Sequence, residues 1–420
     1  MSSKPAPSAA KPFAFEDGRD EQRKVGVWVI GARGSVAVTT VVGALALGAS
    51  LADMTGCVTA LPPFAGADLP EMRDLVFGGH DVEATSLVER ADRLVRGGVV
   101  PAPLLAERVM TGLNRVERAV RPAPSGPAEQ RVLQVREDLA QFRDVEGVDR
   151  IVVVNLASTE APVAPHPAHA EPEALLAAVR ADQPVVPDST LFALAAVLEG
   201  CAYVNFTPST GASLPAVETL ARRRGVPLGG RDGKTGETLV KSALGPMFAR
   251  RNLRVTSWSG TNLLGGGDGA TLQESGPAES KSTSKQHVLA GTLGYLPPGQ
   301  VHIDNLPVLG DRKTAWDLMT FAGFLGVGGR LQFTWEGVDS ALAAPLVLDL
   351  VRLTARALDV GASGTLEELA FFFKDPAGDG PPHDLAAQWN LLSDFATNLS
   401  SVRTSASHAT AATGSPARAR

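Results

Sequence analysis

The chain has 420 residues, enough for two or three domain-sized units with a sizeable buried core. Hydrophobic residues make up 44% and charged residues 20%, an ordinary globular balance that excludes wholesale disorder. The formal charge of -6 offers no field to attract nucleic acid, and the two cysteines, Cys57 and Cys201, form neither a disulfide framework nor a zinc motif. The N-terminus has no apolar signal core, and the longest apolar stretch, from about Val36, is broken by threonines and glycines and ends at Asp53. A cytoplasmic protein with no membrane or nucleic-acid partner is therefore expected.

In chain order, residues 1–24 are rich in Pro, Ala, Ser and charge and read as a disordered arm. VGVWVI (25–30) reads as a strand, followed by GARGSVAVTT and an Ala-rich helix. TGCVTAL (55–61) is expected to be the second strand, closed by Pro62-Pro63. Residues 82–119 and 128–143 carry helical spacing, with RPAPSGPAE between them as a break. IVVVNLAS (151–158) is the most strand-like stretch, and its unbroken hydrophobicity implies burial on both faces. A Pro/His-rich loop (160–173), a helix over 191–199, the strand AYVNFTP (202–208) and a helix over 214–224 follow. Strands alternating with helices predict a parallel α/β sheet. After about residue 246, LRVTSWSG, QVHIDNLPV and RLQFTWEGV alternate apolar and polar residues, as a half-exposed sheet does. A helix over 341–358 then returns, and the tail 401–420 reads as disordered. The expected organisation is a nucleotide-binding α/β domain over 25–245 and 340–400, with a mostly β unit over 246–339 inserted in it.

The turn after the first strand places Gly31 and Gly34 where unpaired helix amides and the helix dipole favour an anion, as a dinucleotide pyrophosphate requires. The pattern is GxxGxxA, and the expected second strand ends Thr59-Ala60-Leu61 with no acidic residue for a ribose. Further segments combine glycine, small polar groups and charge: FGGHD (77–81), GRDGKTGET (230–238), GTNLLGGGDG (260–269) and ESKSTSK (279–285). Only nine of the 39 basic residues are lysine, and six of those nine lie between positions 234 and 374. An ammonium can shift its pKa and give up a proton where a guanidinium cannot, so the lysine map points to an active site. Lys281 and Lys285, four apart, would share one helical face, where mutual repulsion prepares one as a base. Lys313 in GDRK and Lys374 in FFFKDP each stand beside an aspartate. His166 and His169 have no third ligand in sequence, and no metal is expected.

Taken in order, GARGSVAVTTVVGAL, LPPFAG, LVFGGHD, YVNFTPS, GRDGKTGETLVKS, TNLLGGGDG, SKSTSK, GDRK and DSALAAPLVLDL resemble the myo-inositol-1-phosphate synthases, from about Val25 to Leu399. The resemblance implies an α/β protein: a Rossmann-type NAD-binding domain with an inserted α+β, mostly β-sheet, domain for catalysis and tetramerisation. It implies a homotetramer with tightly bound, recycled NAD, acting on D-glucose 6-phosphate. The implied reaction is oxidation at carbon 5, enolisation at carbon 6, aldol closure onto the carbon 1 aldehyde and reduction back, with no net redox change. Four lysines match the family's active-site set: Lys281 and Lys374 for proton transfers at the enolate and hydroxyls, Lys285 and Lys313 nearer the phosphate and ring oxygens. Cofactor contacts carried over are Gly31, Arg33, Gly34 and Ser35 at the pyrophosphate and Asp81 at the ribose. Ala157, Ser158 and Thr159 follow at the third strand end, with Asp232, Asp268 and Asp339 around the nicotinamide. Asn262, Ser280, Lys234 and Asp311 would bind substrate. The chain departs from the eukaryotic pattern at Ala32-Arg33, at Gly266-Gly267-Asp268, which lacks two amide side chains, and in a short segment between Asp81 and Ile151. Retention of the four lysines weighs against a silent NAD-binding sensor, and a simple NAD dehydrogenase would differ by releasing NADH at each turnover. The same scaffold acting on another hexose phosphate, or forming another cyclitol phosphate, stays open.

Overall fold

The computed structural model describes residues 24–265 and 288–411, the last turns of the final helix as backbone only. Seven parallel strands form the larger sheet: β1 (Val25–Ile30), β2 (Leu75–Asp81), β3 (Val120–Pro122), β4 (Arg150–Asn155), β5 (Ala202–Asn205), β6 (Pro227–Gly230) and β11 (Gly364–Thr365). Their order across the sheet is β11-β6-β5-β4-β1-β2-β3. The chain therefore winds outward in both directions from the β1/β4 boundary, the Rossmann arrangement, and leaves a crevice beyond the carboxyl ends of those two strands.

Both faces of the sheet are covered, as the apolar runs of β1 and β4 require. Trp28 and Ile30 of β1 pack with α4 (Ala128–Glu146), α5 (Pro172–Arg180), α6 (Asp188–Leu198) and α7 (Pro215–Arg224). Val25, Val27 and Val29 face the opposite layer: α1 (Ser35–Gly48), α2 (Leu87–Arg96), α3 (Glu107–Glu117), α9 (Asp339–Asp359) and α10 (Leu385–Ala411).

Residues 55–61 are not the second strand. They form a loop and a 3-10 turn (Val58–Ala60) whose N–H groups at Val58 and Thr59 donate to buried Asp349 of α9 at 2.5 and 3.2 Å. The second strand is Leu75–Asp81, a segment the sequence marked only for its glycines and charge. Gly78 is there for space, since a Cβ would come within 2.9 Å of the Trp28 ring on β1. The region 82–119, expected to be helical, holds two helices, Leu87–Arg96 and Glu107–Glu117, the first ending at Gly97, and is followed by the short edge strand β3.

The smaller sheet is mixed and has the order β10-β9-β7-β8, from β7 (Arg254–Leu264), β8 (Val301–Asn305), β9 (Arg312–Ala322) and β10 (Gly328–Val338). β7/β9 and β9/β10 run antiparallel and β7/β8 parallel. Helix α8 (Glu237–Arg250) covers the inner face, packing Phe248 against Val255, Trp258 and Met319. The strands' alternation puts Leu331 and Phe333 on that side and leaves Arg330, Gln332 and Thr334 exposed.

Candidate active site

A cleft of about 650 Å³ opens at the β1/β4 switch point. Its floor is the β1–α1 turn, where Gly31 adopts φ +82° and a Cβ would meet Ala157 Cα at 2.9 Å, so only glycine fits without strain. Helix α1 begins at Ser35 with no side-chain cap and no acidic residue in its first turn, leaving its positive end to an incoming anion. The His80 carbonyl fixes the turn by accepting from Gly31 and Ala32 N–H at 2.9 and 3.1 Å. His80 is held in turn: Trp28 Nε1–H donates to its Nδ1 and its Nε2–H donates to Asp138, both at 2.9 Å.

Asp81 supplies the acid missing from the strand expected at residues 55–61. It stands at the end of the true second strand, where a ribose-binding carboxylate belongs. Its Oδ2 accepts the Arg33 N–H at 2.6 Å and its Oδ1 the Glu83 N–H at 2.8 Å, so the carboxylate is fixed in place at the cleft wall. Glycine cradle, uncapped helix and fixed carboxylate together fit a dinucleotide. Gly31, Gly34, Ser35, Asp81, Ala157, Ser158, Asp311, Lys313 and Asp339 all line this cleft.

A second, smaller cavity of about 120 Å³ adjoins it, sharing Leu156, Ala157, Leu264, Lys313 and Asp339. Thr159, Thr207, Asp232, Thr235, Asn262 and Lys374 complete its polar lining. Residues 231–234 and 372–375 meet as a short antiparallel pairing. Lys374 N–H donates to Asp232 O at 2.7 Å, Lys234 N–H to Phe372 O at 2.8 Å, and Arg231 N–H to Asp375 O at 3.0 Å. This pairing brings the Lys374 Nζ to 2.8 Å from Asp232 Oδ1. Asp232 is 3% exposed, and its Oδ2 has no partner among the described residues. Asn262 is fully buried with both amide atoms likewise unpartnered, which buried polar groups rarely tolerate unless a ligand completes them. Asp339, first residue of α9, sits where the two cavities join: it accepts from Thr235 Oγ1 at 2.7 Å and lies 3.8 Å from Lys313 Nζ.

Two expected contacts point elsewhere. The Arg33 guanidinium pairs with Glu117 at 2.5 Å, outside both cavities, so Arg33 serves the cleft through its backbone. Lys234, expected at the substrate, is 3% exposed and lines neither cavity; its Nζ donates to Gln388 of α10 and lies 5.7 Å from the Phe371 ring centre. Burial pushes its ammonium down to about 7. Asp268, Ser280, Lys281 and Lys285 lie outside the described residues.

Sequence reading missed Thr235 and a buried charged group between α8 and β9. There Lys241 and Glu237 of α8 pair with each other, and Lys241 Nζ lies 3.4 Å from Asp317 Oδ1 of β9. Trp258 Nε1–H donates to the same Asp317 oxygen at 2.7 Å. Burial raises the Asp317 pKa. The lysine map contained Lys241, but nothing local signalled that its partner lies 76 positions away. His166 and His169 are accounted for by a turn: Ala168 N–H donates to His166 Nδ1, His166 N–H to His169 Nδ1, and the His169 Nε2–H to Val185 O at 2.7 Å. Both cysteines are buried, and burial pushes each thiol up to about 12.

Residues 114–397 match the family model for myo-inositol-1-phosphate synthase. The chain is 30% identical to inositol-3-phosphate synthase 1 of Bacteroides thetaiotaomicron, over 90% of this chain and 95% of the relative. The chain belongs to the myo-inositol-1-phosphate synthase family. It is also 33% identical to rat inositol-3-phosphate synthase 1, over 72% of this chain but only 60% of that longer protein. Among solved structures, inositol-3-phosphate synthase from Caenorhabditis elegans superposes with a TM-score of 0.80 at 23% identity, covering 90% of this chain and 86% of that one. A myo-inositol-1-phosphate synthase-related protein from Thermotoga maritima gives 0.71 at 24%, covering 89% and 98%. These two likenesses establish the fold shared across the synthase family, the Rossmann-like domain with its separate mixed sheet.

Proposed function

We infer that this chain converts D-glucose 6-phosphate to 1L-myo-inositol 1-phosphate (1D-myo-inositol 3-phosphate), an intramolecular lyase reaction with no net redox change. The observation that carries this reading is the small polar cavity joined to the dinucleotide cleft, with the Lys374–Asp232 pair inside it. NAD, when bound in the cleft, supplies the reversible oxidation at carbon 5. The ketone so formed acidifies the carbon 6 proton, and the resulting enolate closes onto the carbon 1 aldehyde. Each stage puts negative charge on oxygen near a phosphate, and fixed ammoniums in a water-poor cavity stabilise such charge.

In this reading Lys374 exchanges protons with substrate oxygens, and Asp232 keeps its ammonium aimed into the cavity. Lys313, held beside Asp339 where the cavities join, faces the phosphate or ring oxygens. Asn262 completes its amide hydrogen bonds on substrate hydroxyls, which orients the chain for closure. Lys281 shares the proton transfers and Lys285 the phosphate, with Asp268 at the nicotinamide and Ser280 at the substrate. Asp311 joins the substrate contacts from the cleft wall.

A homotetramer built through the smaller sheet accompanies this reading. Supporting it are the outer face of that sheet, which carries Trp316 at 41% exposure, and the nearby loops, with Phe324 at 87% and Val308 at 92%. Among the described residues no helix is long and apolar enough to cross a membrane. A cytoplasmic location suits a sugar-phosphate substrate and two buried, reduced thiols.

Phosphorus NMR of the protein with glucose 6-phosphate and NAD⁺ tests the reaction, with Lys281→Ala as control. Inositol phosphate is expected to form without NADH accumulating, and the variant should form none. Steady NADH release would make the protein a dehydrogenase. Conversion of another hexose 6-phosphate in place of glucose 6-phosphate would redirect the substrate assignment.

A further inference from the structure

The β1–α1 turn carries an arginine whose charge is kept from the cleft. Arg33 follows Gly31 by two residues, and its N–H lies 2.6 Å from Asp81 Oδ2, so its Cα stands beside the carboxylate that meets the adenosine ribose. An arginine near that position is what receives the 2′-phosphate in NADP-binding Rossmann sites. Here its guanidinium is 10% exposed and bound to Glu117, the last residue of α3. Glu117 is itself anchored, since its other oxygen accepts the N–H of Leu87 at the start of α2, 2.7 Å away. The Arg33 Nε is buried with no partner among the described residues, and so is the Nε of Arg90. A cavity of about 220 Å³ beside the cleft is lined by both arginines, and Arg90 also lines the cleft itself.

We propose that Glu117 is a specificity residue for the cofactor, holding and neutralising Arg33 so that this site, with Asp81 at the ribose, takes NAD and refuses NADP. The inference rests on the dinucleotide reading of the cleft. A 2′-phosphate brings a charge of about -2 against the Asp81 carboxylate, where like charges repel. The guanidinium charge that would offset this repulsion is instead held by Glu117, through one hydrogen bond from its Nη2. The refusal thus has two parts, a carboxylate in the way and a cation withheld.

Fluorescence titration of NADH and NADPH against the full chain tests both. Glu117→Gln keeps an oxygen for the Leu87 N–H while removing the charge that holds Arg33. Wild type is expected to bind NADH and to bind NADPH at least about 100-fold more weakly. Asp81→Ser should narrow that gap, and adding Glu117→Gln should tighten NADPH on the order of tenfold more with little change in NADH. Arg33→Ala should cancel the second gain. In Asp81→Ser alone, where Glu117 still holds the arginine, Arg33→Ala should leave NADPH binding unchanged; this comparison stands even if Glu117→Gln fails to fold. An equal NADPH affinity with and without Glu117→Gln, or a strong loss on Arg33→Ala in Asp81→Ser alone, would overturn the proposal. A wild type that binds neither nucleotide would overturn the dinucleotide reading and this inference with it.

Discussion

Lys374 and Asp232 are 142 positions apart and meet because two short backbone segments pair. In the proposed reaction this lysine acts on substrate only while the carboxylate keeps it aimed. Lys374→Met is therefore expected to lower kcat by about 10²- to 10⁴-fold, the usual worth of a proton-transfer group, with NADH affinity unchanged. Asp232→Asn, which keeps the shape and removes the charge, should lower kcat less and shift its pH profile. Lys234 lies two residues from Asp232 and answers to different physics. Burial pushes its ammonium down to about 7, well below the ordinary lysine range, so below pH 7 the folded protein carries the full cost of burying a cation. Between about pH 7 and 10 the unfolded chain binds more protons than the folded one, and that cost shrinks. In urea unfolding across this range, wild type should gain stability relative to Lys234→Met as pH rises. Parallel pH curves would mean that the lysine is not buried as charged-to-neutral linkage requires.

At the scale of elements, the pairing of residues 231–234 with 372–375 couples the end of the larger sheet to the small cavity. Gly233 allows it, because a Cβ there would come within 2.1 Å of the Phe206 ring, itself buried beside Phe373. Gly233→Ala must displace the ring or the strand. The expected result is a kcat loss of at least about tenfold with the NADH affinity kept, since the dinucleotide turn at Gly31 lies on another loop. Equal kcat in the variant would show that the pairing does not set the lysine's position. Helix α8 makes a comparable connection on the other side: its Lys241, paired with Glu237, places charge deep against Asp317 of β9. Buried ion groups are costly to assemble and costlier to break, so either charge removed alone should lower Tm more than a surface change would.

For the whole molecule, the two sheets are treated differently by their surroundings. The larger sheet is covered on both faces within one chain, whereas among the described residues the smaller one is covered on the α8 side only. The proposed tetramer gives the other face its partner. Trp316→Arg combined with Phe324→Asp should reduce the molar mass seen by light scattering to that of a smaller assembly, with secondary structure retained. An unchanged mass would move the interface away from this face. The two cavities, by contrast, lie between the sheets: Asp81 and Ala157 come from the larger sheet, Asn262 and Lys313 from the smaller, and Asp339 from the helix leading back.

Local patterns alone determined β1, the glycine turn, α1, β4 and the change from parallel to alternating strands. Each depends on side-chain periodicity or backbone freedom within about ten residues. The same locality explains the misreadings. TGCVTAL has the composition of a strand, yet Asp349, nearly 300 positions away, takes the backbone donors that a strand would need. LVFGGHD was not read as a strand, because nothing nearby shows that Trp28 fills the space beside Gly78. Lys313 and Lys374 were legible as residues of interest because lysine is scarce in this chain, but scarcity carries no direction. Lys234 shares that scarcity and turns into the core. Which lysine faces a cavity, which carboxylate ends the second strand and which arginine is withheld from the cleft depend on contacts between distant segments. Burial and pairing energies of that kind exist only once the sheets have assembled.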